Sequence, residues 1–338
     1  MTSRRIVVLQ SFPEPRATTN PYIIMLARAI RAQPDAELLT FSWRTALLGR
    51  YDVFHIHWPE ILLEGRTPSR ALARQLLTAL LLLRLSLLRT PVVRTVHNLG
   101  LHDGIGRWRR FLLRGFARLT TVRIVLNPQT PLPDGAEAIT ILHGHYRDWF
   151  DGVPRRSPVP GRLGYFGLIR PYKNVRGLVD AFRGLPPDAS LQVGGRPSSP
   201  ELAEEIAAVA SGDDRIALSF GFLTDDELVA IATSAQLVVL PYREMHNSGG
   251  TLAALSLDRP VLIPDNDVNG ALAAEVGEAW VRRYSGPLTT ETLERTLEEL
   301  QADPPCGQPD LSARDWVTVG EEHVDAYRHA RRLRGLPA

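Results

Sequence analysis

The stretch Leu237-Val-Val-Leu-Pro-Tyr-Arg-Glu-Met-His-Asn-Ser-Gly-Gly-Thr-Leu-Ala-Ala-Leu-Ser-Leu-Asp-Arg-Pro-Val-Leu-Ile-Pro264 limits the possible folds more than any other. An apolar run, Leu237 to Leu240, stops at Pro241. A polar loop ends in Asn247-Ser-Gly-Gly-Thr251, and an Ala/Leu helix runs on to about Leu257. A second apolar run, Pro260 to Ile263, closes the unit. Strand, loop, helix and strand in this order read as a crossover between parallel strands. The helix start offers backbone N–H groups and the positive end of the helix dipole, which suit an anion. Gly249 and Gly250 allow close approach, and Ser248 and Thr251 carry hydroxyls. The same residues also make an ordinary turn capped by Ser248, so this segment alone leaves both readings open.

A second stretch, Arg162 to Phe182, reads as a strand, a Gly167 turn, a loop bearing Arg170 and Lys173, and an amphipathic helix. Two cations above strand ends can neutralise a diphosphate, Arg as a planar fork and Lys as a point charge. Exposed cations are usually just solvated. With the Ser-Gly-Gly helix start in the same half of the chain, they point to a diphosphate held from two sides.

The rest of the chain alternates strand and helix patterns, which predicts parallel sheets with crossover helices. Strands are expected at 5–10, 37–41, 52–57, 92–96, 122–126 and 138–142, then near 162–167, 190–194, 215–219, 236–240, 260–263 and 279–281. Helices are expected at about 20–32, 68–88 and 105–118, and a last one at 312–333. Pro, Gly, Ser and charge in the segment 151–161 mark a linker. The 338 residues are enough for two domains of ordinary size, and 22% charged with 44% hydrophobic residues is normal for globular chains. A net charge of +2 gives no broad field for nucleic acid. Lys173 is the only lysine, which makes its place in an anion-binding loop more notable. The single Cys306 excludes an intrachain disulfide and fits a reducing cytosol. Met1-Thr-Ser-Arg-Arg leads straight into the first strand with no signal-peptide pattern, so a cytoplasmic location is expected.

Gly164-Tyr-Phe-Gly-Leu-Ile-Arg-Pro-Tyr-Lys-Asn174 resembles the strand-loop-helix that opens the donor domain of GT-B glycosyltransferases. Asn247-Ser-Gly-Gly with Arg259-Pro-Val-Leu262 resembles their later donor-binding unit. Val92-Val-Arg-Thr-Val-His-Asn-Leu-Gly-Leu-His-Asp103, His55-Ile-His-Trp-Pro-Glu60 and His143-Gly-His-Tyr-Arg-Asp148 resemble, more narrowly, bacterial exopolysaccharide mannosyltransferases. The resemblance implies an α/β fold of two Rossmann-like, doubly wound parallel-sheet domains facing across a cleft. It implies residues 1–155 as acceptor domain, 162–310 as nucleotide-sugar domain, and a helix within 311–338 crossing back to the first. It implies GDP-mannose as donor, a glycan or polyprenyl-linked acceptor, and β-linkages, with no metal and no further cofactor.

One position departs from the pattern. The large retaining group of these enzymes carries a spaced pair of glutamates, the second just inside the helix before the Pro-Val strand start. That position is Ala253 here, and Glu244, earlier in the loop, does not restore the spacing. Inversion is therefore expected, with Glu244 kept as a donor-site candidate beside Arg170, Lys173, Asn247, Ser248, Gly249, Gly250 and Thr251. An inverting transfer needs a base for the acceptor hydroxyl. Asp103 and His102, in the loop after strand 92–96, lead; Glu60 follows. Asn20, His57, His97, Asn98, His143 and His145 are acceptor-contact candidates at the predicted strand ends of the first domain. His55-Ile-His57 alternates along a strand, and the other histidine pairs lack compact ligand spacing, so metal binding is not expected.

The stretch 71–89 is unusually apolar, but arginines interrupt it before it reaches the roughly 20 residues a spanning helix needs. It reads either as an interfacial helix with arginines snorkelling at its edges or, by default, as a buried crossover helix. Arg107, Arg109, Arg110, Arg114 and Arg118 with Trp108 and Phe111 read as a solvated face, or as a second surface for anionic headgroups. Other readings stay open: a retaining transferase for another nucleotide sugar, an epimerase or phosphorylase of the same fold, or a non-catalytic nucleotide-sugar or glycan binder.

Overall fold

The computed structural model describes residues 4–16, 18–97 and 106–337. The chain divides into two compact units, residues 1–144 with 313–338, and residues 145–312. The first contains β1 (Ile6–Gln10), α1 (Pro21–Arg31), β2 (Ala36–Leu39), α2 (Trp43–Leu48), β3 (Val53–Ile56), α3 (Pro68–Leu87), β4 (Val92–Val96), α4 (Arg107–Leu119), β5 (Thr120–Val125) and β6 (Ala138–Thr140). The second contains β7 (Val159–Phe166), α5 (Val175–Phe182), β8 (Ser190–Gly195), α6 (Pro200–Ala210), β9 (Ile216–Phe220), α7 (Asp225–Ser234), β10 (Ala235–Val239), α8 (Gly249–Ser256), β11 (Val261–Pro264), α9 (Asp267–Val276), β12 (Val281–Tyr284) and α10 (Thr290–Ala302). The last helix, α11 (Trp316–Leu333), packs on α1 and on β1, β3, β4 and β5 of the first unit.

Each unit is built on a six-stranded sheet, in the orders β2-β1-β3-β4-β5-β6 and β12-β11-β10-β7-β8-β9. The strand pairings are parallel. Strands buried on both faces need continuous apolar runs, and β3 (Val-Phe-His-Ile) has all four residues buried. The chain reverses direction across each sheet between β1 and β3, and between β7 and β10. Ligands of such sheets gather beyond the carboxyl ends of the strands at these switch points.

Local chemistry sets the helix ends. Asn20 Oδ1 accepts the Tyr22 N–H at 3.0 Å and Pro21 opens α1. Thr224 and Glu227 form a reciprocal capping box on α7. The last helix begins four residues later than expected because residues 312–314 form a 3-10 turn and Asp315 caps the Val317 N–H at 2.7 Å. Sequence patterning missed α2, which Ser42 caps through the Thr45 N–H at 3.0 Å. It also missed the 3-10 turn Pro59–Leu63.

The unit boundary lies earlier than the composition of 151–161 predicts. The Tyr146 N–H donates to Ser256 Oγ at 2.8 Å, and the Arg147 guanidinium donates to the Pro309 carbonyl at 2.6 Å. Residues from His145 onward are thereby fastened to the second unit, and β7 begins inside the expected linker. The default reading of the stretch 71–89 also fails. Only Thr78, Leu81 and Leu85 of α3 are buried, and its leucines at 72, 76, 80, 83 and 87 are exposed.

Candidate active site

In the second unit, the two loops singled out by sequence meet at the β7/β10 switch point. After β7, Gly167 turns with φ 114°. The Ile169 N–H then donates to the Arg196 carbonyl at 2.9 Å and the Ser198 N–H to the Ile169 carbonyl at 3.0 Å. This pins the base of the loop and leaves Arg170 and Lys173 to follow. Asn174 ends the short 3-10 turn Pro171–Lys173 in the left-handed region, φ 53°, and starts α5. The Arg243 N–H donates to the Tyr172 carbonyl at 2.8 Å, joining the loop after β10 to the loop after β7.

Lys173 Nζ stands 4.7 Å from the centre of the Tyr242 ring, a cation–π contact. Burial, with Arg170 close by, lowers the Lys173 ammonium to about 8. Two like charges held together in a half-buried place gain most from a bound anion. Ser248 caps α8 by accepting the Thr251 N–H at 3.2 Å, and its hydroxyl also interacts with the buried Tyr242 phenol. Gly249 and Gly250 form the first turn, whose N–H groups have no partner within the helix. A side chain at Gly249 would have its Cβ 3.2 Å from Tyr146 Oη, so Tyr146 packs directly on this turn. Asn247 is partly exposed and Glu244 exposed.

Thr251 departs from expectation. It is buried, with its hydroxyl 3.9 Å from Met245 Sδ. Asn269 Nδ2 lies 3.3 Å from the same sulfur, and Asn266 Nδ2 donates to the Met245 carbonyl at 3.0 Å. Thr251 therefore braces the loop, and its hydroxyl is not turned outward with Ser248. A cavity of ≈ 860 Å³ adjoins these loops, lined by Asn174, Tyr242, Arg243, Pro264, Tyr284 and Thr290 among others. That volume is in the range of small-ligand sites.

In the first unit, the β1/β3 switch point holds a buried polar network. Gln10 Nε2 donates to Tyr327 Oη at 3.1 Å, Tyr327 Oη and His55 Nδ1 share a hydrogen bond of 2.8 Å, and His55 Nε2 and Thr95 Oγ1 share another of 2.8 Å. Gln10 Oε1 accepts from His57 Nε2–H at 3.1 Å, which leaves His57 Nδ1 to accept from His97 Nε2–H at 3.1 Å. With the Gln10 oxygen as acceptor, these last two bonds fix the tautomers of neutral His57 and His97. The Trp58 ring stacks on His97, with centroids 4.2 Å apart, and Tyr22 lies against His143 at 4.6 Å. Burial, first among the causes, pushes His97 down to about 3 and His143 to about 4, and holds His55 and His57 well below the usual imidazole range. Imidazoles this hard to protonate are poor bases near neutral pH but good neutral hydrogen-bonding walls.

His57, His97 and His143 are therefore brought together as expected. Asn20 has its side-chain oxygen committed to capping α1 through the N–H of Tyr22, whose ring packs on His97 and His143. His145 falls in the second unit, where its Nδ1 accepts the Arg147 N–H at 3.3 Å. Glu60 is half-buried on the 3-10 turn after β3, and its charge acts on the Arg94 guanidinium of β4. Asn98, His102 and Asp103 lie outside the described residues. Among the described residues no group of three or more His, Cys, Asp or Glu has an arrangement that could hold a metal.

Sequence reading missed Gln10, Thr95, Tyr146, Tyr242 and Tyr327. A glutamine ending the apolar run Ile6–Leu9 was a signal for Gln10. Tyr327, from a helix hundreds of residues away, gave none.

Two parallel sheets of these orders, each with polar loops gathered at its switch point, define the GT-B glycosyltransferase fold. Anabaena HepE in complex with UDP and glucose has this fold, with a TM-score of 0.64 at 15% identity over 96% of this chain and 100% of that one. So has a putative UDP-N-acetylglucosamine 2-epimerase from Listeria monocytogenes, with a TM-score of 0.56 at 12% identity over 99% of each chain. At such identities the likeness is one of fold, and the fold alone does not separate transfer from epimerisation. No family model matches the chain. Two curated proteins of Xanthomonas campestris pv. campestris do, each 45% identical over 329 residues, 96% of this chain and 93% of theirs. Both are named GDP-mannose:glycolipid 4-beta-D-mannosyltransferase, and the chain belongs to this family of glycosyltransferases.

Proposed function

We propose that the enzyme transfers mannose from GDP-mannose to a lipid-linked glycan, with inversion and without a metal. The observation that carries this reading is the Arg170–Lys173 cation pair, tied by the Arg243 N–H to the loop that leads into the Ser248–Gly249–Gly250 helix start. The names of the relatives support the donor and the acceptor class.

In the reaction, an acceptor hydroxyl oxygen attacks the anomeric carbon as the bond from that carbon to the diphosphate oxygen breaks. The electron pair leaves with GDP. Its charge is met by Arg170, Lys173 and the first N–H groups of α8, in a place prepared for it. The hydroxyl proton passes to a carboxylate of the first unit, assigned to Asp103. Neutral His97 and His143 line the acceptor sugar, with the buried His57 bracing His97 from behind. Ala253, buried within α8, offers no carboxylate to the donor, which favours direct displacement from the opposite face.

The stereochemical test is an anomeric NMR spectrum of the product. An α-linked nucleotide mannose should give a β-mannoside, and an α-mannoside would overturn inversion.

Lys173 supplies a second test. It attracts the diphosphate only when protonated, and in the empty site its ammonium titrates at about 8. A bound anion raises that value. GDP affinity is thus expected to be flat at neutral pH and to weaken above about 8, by roughly tenfold per pH unit for one linked proton. Lys173→Ala should abolish this dependence. Lys173→Ala and Arg170→Ala should each cost about 1.5–3 kcal/mol of GDP binding, as for a charged hydrogen bond. Unchanged affinity in both, by calorimetry, would remove the diphosphate assignment.

A further inference from the structure

The histidine network lies at the carboxyl ends of the first sheet. A second polar cavity lies at the opposite, amino ends, where β1, β3 and β4 begin. Its volume of ≈ 370 Å³ is within the range of small-ligand sites. Four guanidiniums line it, those of Arg4, Arg50, Arg84 and Arg331, against the single carboxylate of Asp52.

Asp52 is already fully engaged. Its Oδ1 accepts from Arg331 at 2.6 Å and from Arg4 at 3.1 Å, and its Oδ2 accepts the Val7 N–H at 2.9 Å. Among the described residues Arg84 finds only neutral acceptors, the Tyr51 hydroxyl at 2.5 Å and the Gly49 carbonyl at 2.6 Å. Exposed Arg50 has no ion pair among the described residues. Thr90 lines the same cavity and is only 8% exposed, yet its hydroxyl has no hydrogen-bond partner among the described residues. Guanidinium forks match phosphate oxygens two at a time. A buried hydroxyl without a partner carries a cost that a ligand oxygen removes.

The cavity is joined to the histidine network by α11. Tyr327 and Arg331 are four residues apart, on one face of that helix. Tyr327 bonds Gln10 and His55 on β1 and β3, while Arg331 grips Asp52 beside the amino ends of the same strands.

We infer that this cavity binds a small phosphate-bearing anion. The anion takes the spare donors of Arg50, Arg84 and Thr90, and its charge offsets the crowding of four guanidiniums. It thereby fastens the end of α11 to the first sheet and steadies the hydroxyl of Tyr327. The site goes beyond the proposed transfer and uses none of its donor groups.

The test is calorimetric titration of the full chain with inorganic pyrophosphate at saturating GDP, which keeps the donor loops occupied. The wild type should bind one pyrophosphate. Arg50→Gln should weaken binding by about tenfold or more, as for a charged hydrogen bond. Thr90→Val, which keeps the shape and deletes the hydroxyl, should weaken it by roughly fivefold. Because Arg50 is exposed, its variant should keep the circular dichroism and the GDP affinity of the wild type. Pyrophosphate should also slow amide hydrogen exchange across α11 in the wild type.

A wild type that takes up no pyrophosphate with GDP present overturns the site, as does unchanged affinity in both variants. Citrate bound as tightly as pyrophosphate overturns the assignment to phosphate. Uptake that leaves exchange in α11 unchanged overturns the link to Tyr327. If GDP itself does not bind, the donor reading falls, and the difference between wild type and Arg50→Gln still decides for or against this cavity.

Discussion

Replacing Asp103 by asparagine should cut turnover by about 10²-fold or more, because general-base catalysis typically supplies 10²–10⁴. The change keeps size and shape and deletes basicity. GDP-mannose affinity should barely move, since the groups proposed to hold the donor lie on the loops after β7 and β10. A 10²-fold loss corresponds to roughly 2.7 kcal/mol of transition-state stabilisation. Glu60→Gln and His102→Ala are the comparisons. Glu60 lies within reach of the Arg94 charge, an arrangement suited to an ion pair, so its amide should cost less. If Glu60→Gln collapses turnover and Asp103→Asn does not, the base is Glu60. If all three variants keep near-normal rates, the carboxylate assignment is wrong, and the search passes to His143, His145 and the Asn20–Tyr22 turn.

Gly195→Ala should damage both stability and donor binding. Gly195 ends β8 with φ 148°, and a Cβ there would land on the carbonyl oxygen of Gly167. Overpacking costs about 1–3 kcal/mol, and a side chain in a glycine-only conformation costs about as much again. For a unit of this size the melting temperature should fall on the order of 10 °C. Because Gly167 opens the loop that carries Arg170 and Lys173, GDP affinity should fall too. Gly212→Ala is the control. Its φ of 79° is also positive, but nothing lies within 4 Å of the added carbon. Equal, small losses in both variants would show that the loop tolerates the shift and that the predicted clash is relieved elsewhere.

The sheets were legible because parallel strands buried on both faces need unbroken apolar runs, and Ile6–Leu9, Leu237–Leu240 and Pro260–Ile263 are such runs. The two loops that meet at the β7/β10 switch point were legible because glycines, a capping serine and paired cations stand out where they follow strand ends. The exposure of α3 was not. A sequence apolar almost all round says that burial is needed, not what provides it, and a buried crossover helix was the reasonable default. Thr251 was misjudged for a related reason. A hydroxyl in the first turn of a helix can face outward or inward, and only the position of Met245 decides. The roles of Gln10 and Tyr327 rest on a hydrogen bond between positions 317 apart, which no local pattern encodes. His145 was grouped with the first unit because it lies just past the predicted strand 138–142, while Tyr146 and Arg147 tie it to the second.

The return of α11 to the first sheet bears on the order in which the two units can be completed during synthesis. Tyr327 and Ala330 of that helix are fully buried, and the Tyr327 hydroxyl orients Gln10 and His55. Every residue of the second unit is synthesised before α11 appears. The first unit, although begun first, keeps an open seat over its sheet until α11 is made, and Gln10 and His55 lack their Tyr327 partner until then. The unit begun first is therefore closed by a segment made after the second.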